Sequence, residues 1–216
     1  MRGVVGLPDA SPSSMNPMNA RGPFISSRVG SRGRRRLLAA GALAWLGVPA
    51  ARANTSIGPV LPAVSVPALP LRRHDGATPM LAAQLRGAPT AVQLMFTGCS
   101  TVCPIQGALF STLQAALLSE RYTAVRLLSL SIDPLADDPV ALSAWLRRFG
   151  ARPTWSAAAP APEALESMFS LFTGGAAAGD RHTGQVYLFD RQARLVWRTS
   201  ELPPAEEVMA GLRQMG

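Results

Sequence analysis

The 216-residue sequence contains no lysine, and after residue 53 it carries almost no excess of basic charge. Of the formal net charge of +8, residues 1–53 contribute +7, since they hold eight of the 21 arginines and a single acid, Asp9. Residues 54–216 hold 13 arginines and 12 acids, a net charge of +1. Since the basic character belongs to the N-terminal tail and not to a folded domain, we exclude a nucleic-acid-binding protein.

The first apolar run of the chain is too short to span a bilayer comfortably. It covers residues 37–48, follows Arg34-Arg35-Arg36 and precedes Ala51-Arg52-Ala53, whereas a spanning helix needs about 20 residues. This pattern predicts an export signal, and the consecutive arginines indicate the twin-arginine route. An ordinary secretory signal and an uncleaved helix that keeps the protein at the membrane are the alternatives. We interpret residues 1–53 as a disordered leader followed by this signal.

The remaining chain is long enough for one buried core and too short for two typical domains. Residues 54–68 are rich in proline and predict an extended linker, which leaves residues 69–216 as the domain. No internal repeat is present. Apolar periodicity predicts strands near 69–73, 90–96, 125–132, 185–190 and 194–198, and helices near 104–120, 139–149, 163–172 and 204–215. This order indicates an α/β fold with one mixed sheet and helices on both faces.

The chain has only two cysteines, Cys99 and Cys103, placed between a predicted strand and a helix that opens near Pro104. The partial positive charge of a helix N-terminus favours a thiolate. Two thiolates at this spacing can bind one soft ion such as Cu(I), or oxidise to a disulfide. As a purely structural crosslink, the disulfide would close a very small loop and contribute less than the roughly 3 kcal/mol expected for fifteen residues. A metal or redox role is therefore favoured over a structural one.

The chain also has only two histidines. His74 lies between Arg73 and Asp75 in a predicted turn, which is typical of a solvated surface residue. His182 follows a Gly/Ala-rich loop, 174–179, and precedes a strand. On its own it is most typical of a polar turn residue, although in a sheet-centred fold its loop can lie at the same edge as the cysteines.

Residues 69–190 resemble the Sco/SenC family of copper-binding, thioredoxin-like proteins that assist cytochrome c oxidase assembly. The matching segments occur in the family's order: Asp75-Gly76; Leu85-Arg86-Gly87; Phe96-Thr97-x-Cys99-x-x-Val102-Cys103-Pro104; Ser131-Ile132-Asp133-Pro134-x-x-Asp137-Asp138-Pro139; and His182-Thr183 followed by Val186-Tyr187-Leu188-Phe189-Asp190. The chain departs from the family at Ser100-Thr101-Val102, at Thr183 and between residues 155 and 171. Because these departures change the surface beside the cysteines relative to the family, they put the identity of the client protein in question.

The resemblance implies a three-layer thioredoxin-like domain in which Cys99, Cys103 and His182 bind one copper ion, as Cu(I) or Cu(II). Asp133 and Asp137 match the family's acidic loop, which is expected to order the site or meet a partner, without a ligand role. The implied protein is a metallochaperone, not a turnover enzyme, located in the bacterial periplasm or on the outer face of the inner membrane. Its implied client is the copper-bearing subunit of cytochrome c oxidase.

Two enzymatic hypotheses compete with the metallochaperone. In a thiol–disulfide oxidoreductase, Cys99 would attack a client disulfide and Cys103 would resolve the mixed disulfide. Such an enzyme normally has two residues between its cysteines, not three, and needs no histidine. A peroxide-reducing enzyme is disfavoured because residues 94–98, which lead to Cys99, lack the proline expected before its nucleophile.

Overall fold

The computed structural model describes residues 57–122, 124–174 and 182–215. The predicted leader and export signal, 1–53, and residues 175–179 of the predicted Gly/Ala-rich loop lie outside these ranges. The strands are β1 (Gly58–Ser65), β2 (Leu71–Arg73), β3 (Thr90–Met95), β4 (Arg126–Ser131), β5 (Trp155–Pro160), β6 (Val186–Phe189) and β7 (Arg194–Arg198). The helices are α1 (Leu81–Leu85), α2 (Val102–Ser119), α3 (Pro139–Arg148), α4 (Leu165–Thr173) and α5 (Ala205–Arg213).

All seven strands form one mixed sheet in the order β1-β7-β6-β3-β4-β5-β2. The adjacent strands β3, β4 and β5 run parallel, and β6, β7, β1 and β2 pair antiparallel with their neighbours. Every residue of β3 is buried, as expected for a central strand that is covered on both faces. The structure thus confirms the predicted α/β fold with a mixed sheet.

Helices cover both faces of the sheet and enclose two apolar cores. On one face, α2, α3 and α5 contribute Phe110, Leu113, Leu117, Leu142, Trp145, Leu146, Val208, Met209 and Leu212. On the other, α1 and α4 contribute Leu81, Leu85, Met168, Phe169, Leu171 and Phe172. The structure therefore has the three layers that were expected, one mixed sheet between two layers of helices.

Among the five α-helices of the described ranges, α3 is the one whose first turn is capped by a side chain. The Asp138 side chain accepts a hydrogen bond from the Ala141 N–H at 2.8 Å, and Pro139 occupies the first position of α3. Helix α2 begins at Val102, two residues before the predicted start at Pro104. Cys103 therefore lies in the first turn of α2 and not in the loop before it.

Three elements were not predicted from the sequence. Residues 58–65 of the predicted linker form β1, which pairs with β7 from Gly58 opposite Arg198 to Ser65 opposite Arg194. As an edge strand, β1 tolerates its prolines, which a central strand would not. Strand β5 was missed because alanine has a low strand propensity, yet all six of its residues are buried. Helix α1 has only five residues, too few to show a periodicity.

Helix α2 is the one helix in the described ranges with the length and mean hydropathy, 1.3, of a membrane span. Its apolar residues Phe110, Leu113 and Leu117 pack into the core beside the sheet, with at most 5% of each exposed. The apolar composition of α2 is therefore explained by its packing against the sheet, as in a core helix.

Gly107 of α2 lies directly against the ring of Phe149. A Cβ at position 107 would lie 2.4–2.7 Å from atoms of that ring. The ring cannot withdraw easily because its centroid lies 4.6 Å from that of Trp145 and 6.5 Å from that of Trp155. Glycine is therefore needed here for close packing, despite its low helix propensity.

We predict that Gly107→Ala lowers the free energy of unfolding, measured by urea denaturation. Overpacking costs about 1–3 kcal/mol, which exceeds the roughly 1 kcal/mol that alanine gains in helix propensity. Adding Phe149→Leu, which removes the obstructing ring, should make the alanine substitution less harmful in a double-mutant cycle. A Gly107→Ala variant as stable as the parent protein would contradict this packing.

Candidate metal centre

Three loops meet at one edge of the sheet because of how the central strands pair. Strand β6 runs antiparallel to β3, with Val186 opposite Gln93, so the residues before β6 lie beside the end of β3. Strand β4 runs parallel to β3, with Ser131 opposite Met95. The cysteine loop after β3, the acidic loop after β4 and the His182 loop (residues 182–185) before β6 therefore converge.

A cavity of about 310 Å³ opens at this edge and contains all three predicted site residues. It is lined by Leu94, Met95, Phe96, Gly98, Cys99, Ser100, Thr101, Val102, Cys103, Gln106, Ile132, His182 and Thr183. His182 is exposed to solvent, with its ring centroid 5.4 Å from that of Phe96. Within the described ranges, no three His, Cys, Asp or Glu side chains are already arranged to hold a metal ion.

The two cysteines are reduced and buried, with 8% of Cys99 and 5% of Cys103 exposed. The Cys103 N–H, in the first turn of α2, donates to Cys99 Sγ at 3.4 Å. The Thr101 hydroxyl lies 3.8 Å from the same sulfur. Cys99 thus lies at the positive end of the helix, where backbone and side-chain donors point toward its sulfur.

These contacts separate the acidities of the two thiols. Burial opposes ionisation of Cys99, but hydrogen bonds from the Cys103 side chain, the Cys103 N–H and Thr101 lower its pKa from 9.0 to about 7. Burial, and then the hydrogen bond that its thiol makes to Cys99, raise the pKa of Cys103 from 9.0 to about 12. At neutral pH Cys103 therefore keeps its proton, whereas Cys99 is partly ionised.

Asp137 anchors the cysteine loop to the neighbouring strand. Its side chain is fully buried and accepts hydrogen bonds from the Thr97 N–H, the Thr97 hydroxyl at 2.5 Å and the Ser131 hydroxyl at 2.6 Å. Thr97 is two residues before Cys99, and Ser131 ends β4. Asp137, in the acidic loop that was expected to order the site, thus holds the residues that lead to Cys99. Asp133 instead accepts from the Ala136 N–H within its own turn.

The His182 loop is held by contacts on two sides. Glu201 accepts from the Thr183 hydroxyl at 2.9 Å and from the Gly184 N–H. From the other side, Gln106 of α2 donates to the carbonyls of Thr183 and Gln185. Sequence reasoning missed both residues. The sequence feature that could have identified Gln106 is its position three residues after Cys103, because this spacing places both residues on one face of the helix.

His74 lies outside this cavity, and the prediction of a solvated residue was wrong in part. The residue is half-buried, and its Nδ1 faces the backbone of Ala157 in β5, whose N–H lies at 3.4 Å. Its carbonyl accepts from the Ser143 hydroxyl at 2.9 Å. The turn that holds it packs against β5, which the sequence analysis did not detect.

The donor types in the cavity indicate two kinds of chemistry. Two sulfurs and one imidazole are the ligands that soft or borderline ions such as Cu(I) and Zn²⁺ prefer. The same two sulfurs, one ionised and one protonated, can also exchange with a disulfide.

We predict that alkylation of the reduced, metal-free protein modifies Cys99 first and follows a titration with a midpoint near pH 7. Mass spectrometry after iodoacetamide treatment across pH 5–10 would measure this. Cys103→Ala should move the midpoint upward, because it removes the thiol that donates to Cys99. Preferential modification of Cys103 at neutral pH would contradict the assigned acidities.

The same pKa shifts set the sign of the pH dependence of stability. The folded-state pKa of Cys99 is below 9.0, so its ionisation stabilises the fold increasingly from about pH 7 to 9, and this contribution is lost as the pH falls through 7. The raised pKa of Cys103 lowers stability above about pH 9. Comparing denaturation of the parent protein and Cys99→Ser between pH 6 and 9 isolates the first contribution.

We predict that Asp137→Asn destabilises the protein by about 1.5–3 kcal/mol, the value of hydrogen bonds to a charged acceptor. The amide NH₂ would face donors that the carboxylate now satisfies. Asp138→Asn is a matched control, because the neighbouring Asp138 is an exposed helix cap and asparagine caps helices equally well. Equal effects of the two substitutions on chemical denaturation would contradict the anchoring role of Asp137.

Comparison with known proteins agrees with this architecture. A SCO1/SenC family lipoprotein from Bacillus anthracis is 23% identical, with a TM-score of 0.61 over 73% of this chain and 96% of the other. BsSco, a member of the Sco family of cytochrome c oxidase assembly proteins, is 20% identical, with a TM-score of 0.60 over 74% of this chain and 96% of its own.

Bradyrhizobium japonicum ScoI with copper bound is 23% identical, with a TM-score of 0.56 over 74% of this chain and 100% of the other. At these identities the likeness to the solved structures shows the fold. No curated protein matches the chain. The sequence profile of the SCO1/SenC family matches residues 70–215, from the strand before α1 to the end of α5. The chain therefore belongs to the SCO1/SenC family.

Proposed function

We propose that this protein is a metallochaperone that binds one copper ion through Cys99, Cys103 and His182. The observation that carries the proposal is that these residues, from distant parts of the chain, line the same cavity. Family membership supports it, as do the similar folds of ScoI from Bradyrhizobium japonicum and yeast Sco1, both solved with copper bound. The donor set fits the cargo, because thiolates and imidazole are ligands for copper.

The arrangement is suited to transferring an ion as well as to binding it. The two cysteines are buried, whereas His182 is exposed to solvent. Ligands of a recipient can therefore approach from the side of His182 and displace it before the sulfurs. We propose that the recipient is the copper-bearing subunit of cytochrome c oxidase, in line with the assembly role named for the family of BsSco.

The proposal includes export. The basic and apolar pattern of residues 1–53 would direct the protein to the periplasm or to the outer face of the inner membrane, where an uncleaved segment would anchor it. That the similar protein from Bacillus anthracis is a lipoprotein supports an exported location.

We predict that His182→Ala, Cys99→Ser and Cys103→Ser each lower Cu(I) affinity by more than about tenfold, equivalent to about 1.4 kcal/mol. Anaerobic titration against a competing Cu(I) chelator would measure this. His74→Ala is the matched control, since it removes the other histidine, which lies outside the cavity. Unchanged affinity in His182→Ala would show that the three-ligand site is wrong.

A thiol–disulfide oxidoreductase is the second candidate, favoured by one observation. The pKa of Cys99, lowered to about 7, suits an attacking thiolate, while the protonated Cys103 can serve as the resolving thiol. The disulfide switch described in BsSco is consistent with redox chemistry in a protein of this fold. His182→Ala separates the candidates, since it should leave thiol exchange with a client peptide disulfide largely intact while copper affinity falls.

A further inference from the structure

Gln106 connects the helix that carries Cys103 to the backbone that follows His182. It lies one turn after Cys103 on α2 and is fully buried. Its side-chain Nε2 donates to the Thr183 carbonyl at 3.3 Å and, at 3.5 Å, to the Gln185 carbonyl. One amide thus bonds the backbone on both sides of Gly184, within three residues of His182.

The two polar atoms of the Gln106 side chain differ, because only Nε2 forms hydrogen bonds in the described structure. Its Oε1 is buried and has no hydrogen-bond partner in the described structure, an arrangement that costs free energy. Gln114, two turns further along the same helix, differs in this respect. Its Nε2 donates to the Gly150 carbonyl at 3.0 Å, and its Oε1 accepts from the Arg152 N–H at 2.7 Å. Gln114 is a satisfied structural amide, whereas Gln106 is half-satisfied and lines the cavity.

We propose that Gln106 is a positioning residue, which holds the His182 loop against α2 and so keeps the imidazole at the cavity that the two sulfurs line. This inference rests on the proposed function, and it identifies how the third ligand is oriented. Glu201 holds the outer side of the same loop through Thr183 and Gly184. Gln106 links this loop to the helix that bears Cys103, so the contact bears directly on the relative position of the two ligands.

Holding a ligand in place raises affinity because less ordering is left to occur on binding. Residues that orient metal ligands typically change metal affinity by about 10–100-fold when replaced. Methionine has a similar length and volume to glutamine but cannot donate to carbonyls. Gln106→Met therefore removes the connection while it keeps the helix packed, and Gln106→Leu provides a second variant of the same kind.

The test is a double-mutant cycle on Cu(I) affinity with the full chain. We expect Gln106→Met to lower affinity by about tenfold in the parent protein and to have no further effect in the His182→Ala background. Gln114→Met is the matched control: it removes a satisfied buried amide from the same helix, so it should lower stability while leaving Cu(I) affinity unchanged. An equal loss from Gln106→Met in both backgrounds would show that Gln106 does not act through His182.

Two further readouts separate positioning from a general loss of stability. In the metal-free protein, hydrogen exchange at the Gly184 and Gln185 amides should accelerate in Gln106→Met and not in Gln114→Met. In the Cu(II) protein, nitrogen hyperfine coupling from the imidazole should weaken in Gln106→Met alone. Unchanged exchange and unchanged coupling in Gln106→Met would overturn the inference.

Failure of this inference and failure of the proposed function give different results. If His182→Ala lowers copper affinity but Gln106→Met does not, the ligand set is retained and the positioning role is wrong. If His182→Ala has no effect on affinity, the proposed ligand set is wrong, and the exchange rates of Gly184 and Gln185 still decide whether Gln106 holds the loop.

Discussion

The antiparallel pairing of β6 with β3 is the constraint on which the site depends. It places Val186 opposite Gln93, so the chain that enters β6 lies beside the chain that leaves β3. His182 and Cys99 are 83 positions apart in the sequence, and this pairing alone brings their loops to the same edge of the sheet. The neighbouring strand β4, parallel to β3, adds the loop with Asp137 at that edge. The sheet thus brings the loops together, and the hydrogen bonds of Asp137 and Gln106 then hold them in place.

Much of this architecture could be predicted from local patterns, because the central strands and the amphipathic helices show their own periodicity. The missed elements depend on distant partners. Strand β1 contains prolines and is stabilised by pairing with β7, and β5 consists largely of alanines buried between β4 and β2. The half-buried state of His74 was missed for the same reason, since the backbone it contacts belongs to β5.

In the site too, features set by neighbouring residues in the sequence could be predicted, whereas features set by distant residues could not. The position of the cysteines at a strand–helix junction could be predicted from the sequence, because it is a property of consecutive residues. The place of His182 in the same cavity depends on strand pairing, so the resemblance to a known family was needed to predict it. The roles of Gln106 and Glu201 were not predicted, because glutamine and glutamate carry no distinctive signal until the loop that they hold is located.

The charge of the cavity bears on how a copper ion would be held. Among the lining residues of the described structure there is no arginine, aspartate or glutamate, so the thiols are the main source of countercharge. An ionised Cys99 neutralises Cu(I), while ionising Cys103 as well would leave a net negative charge in a partly buried site, which is unfavourable. The raised pKa of Cys103 opposes that second ionisation. A ligand that gives up its proton reluctantly binds less tightly at neutral pH, so an ion that binds this pair must compete with the proton on Cys103.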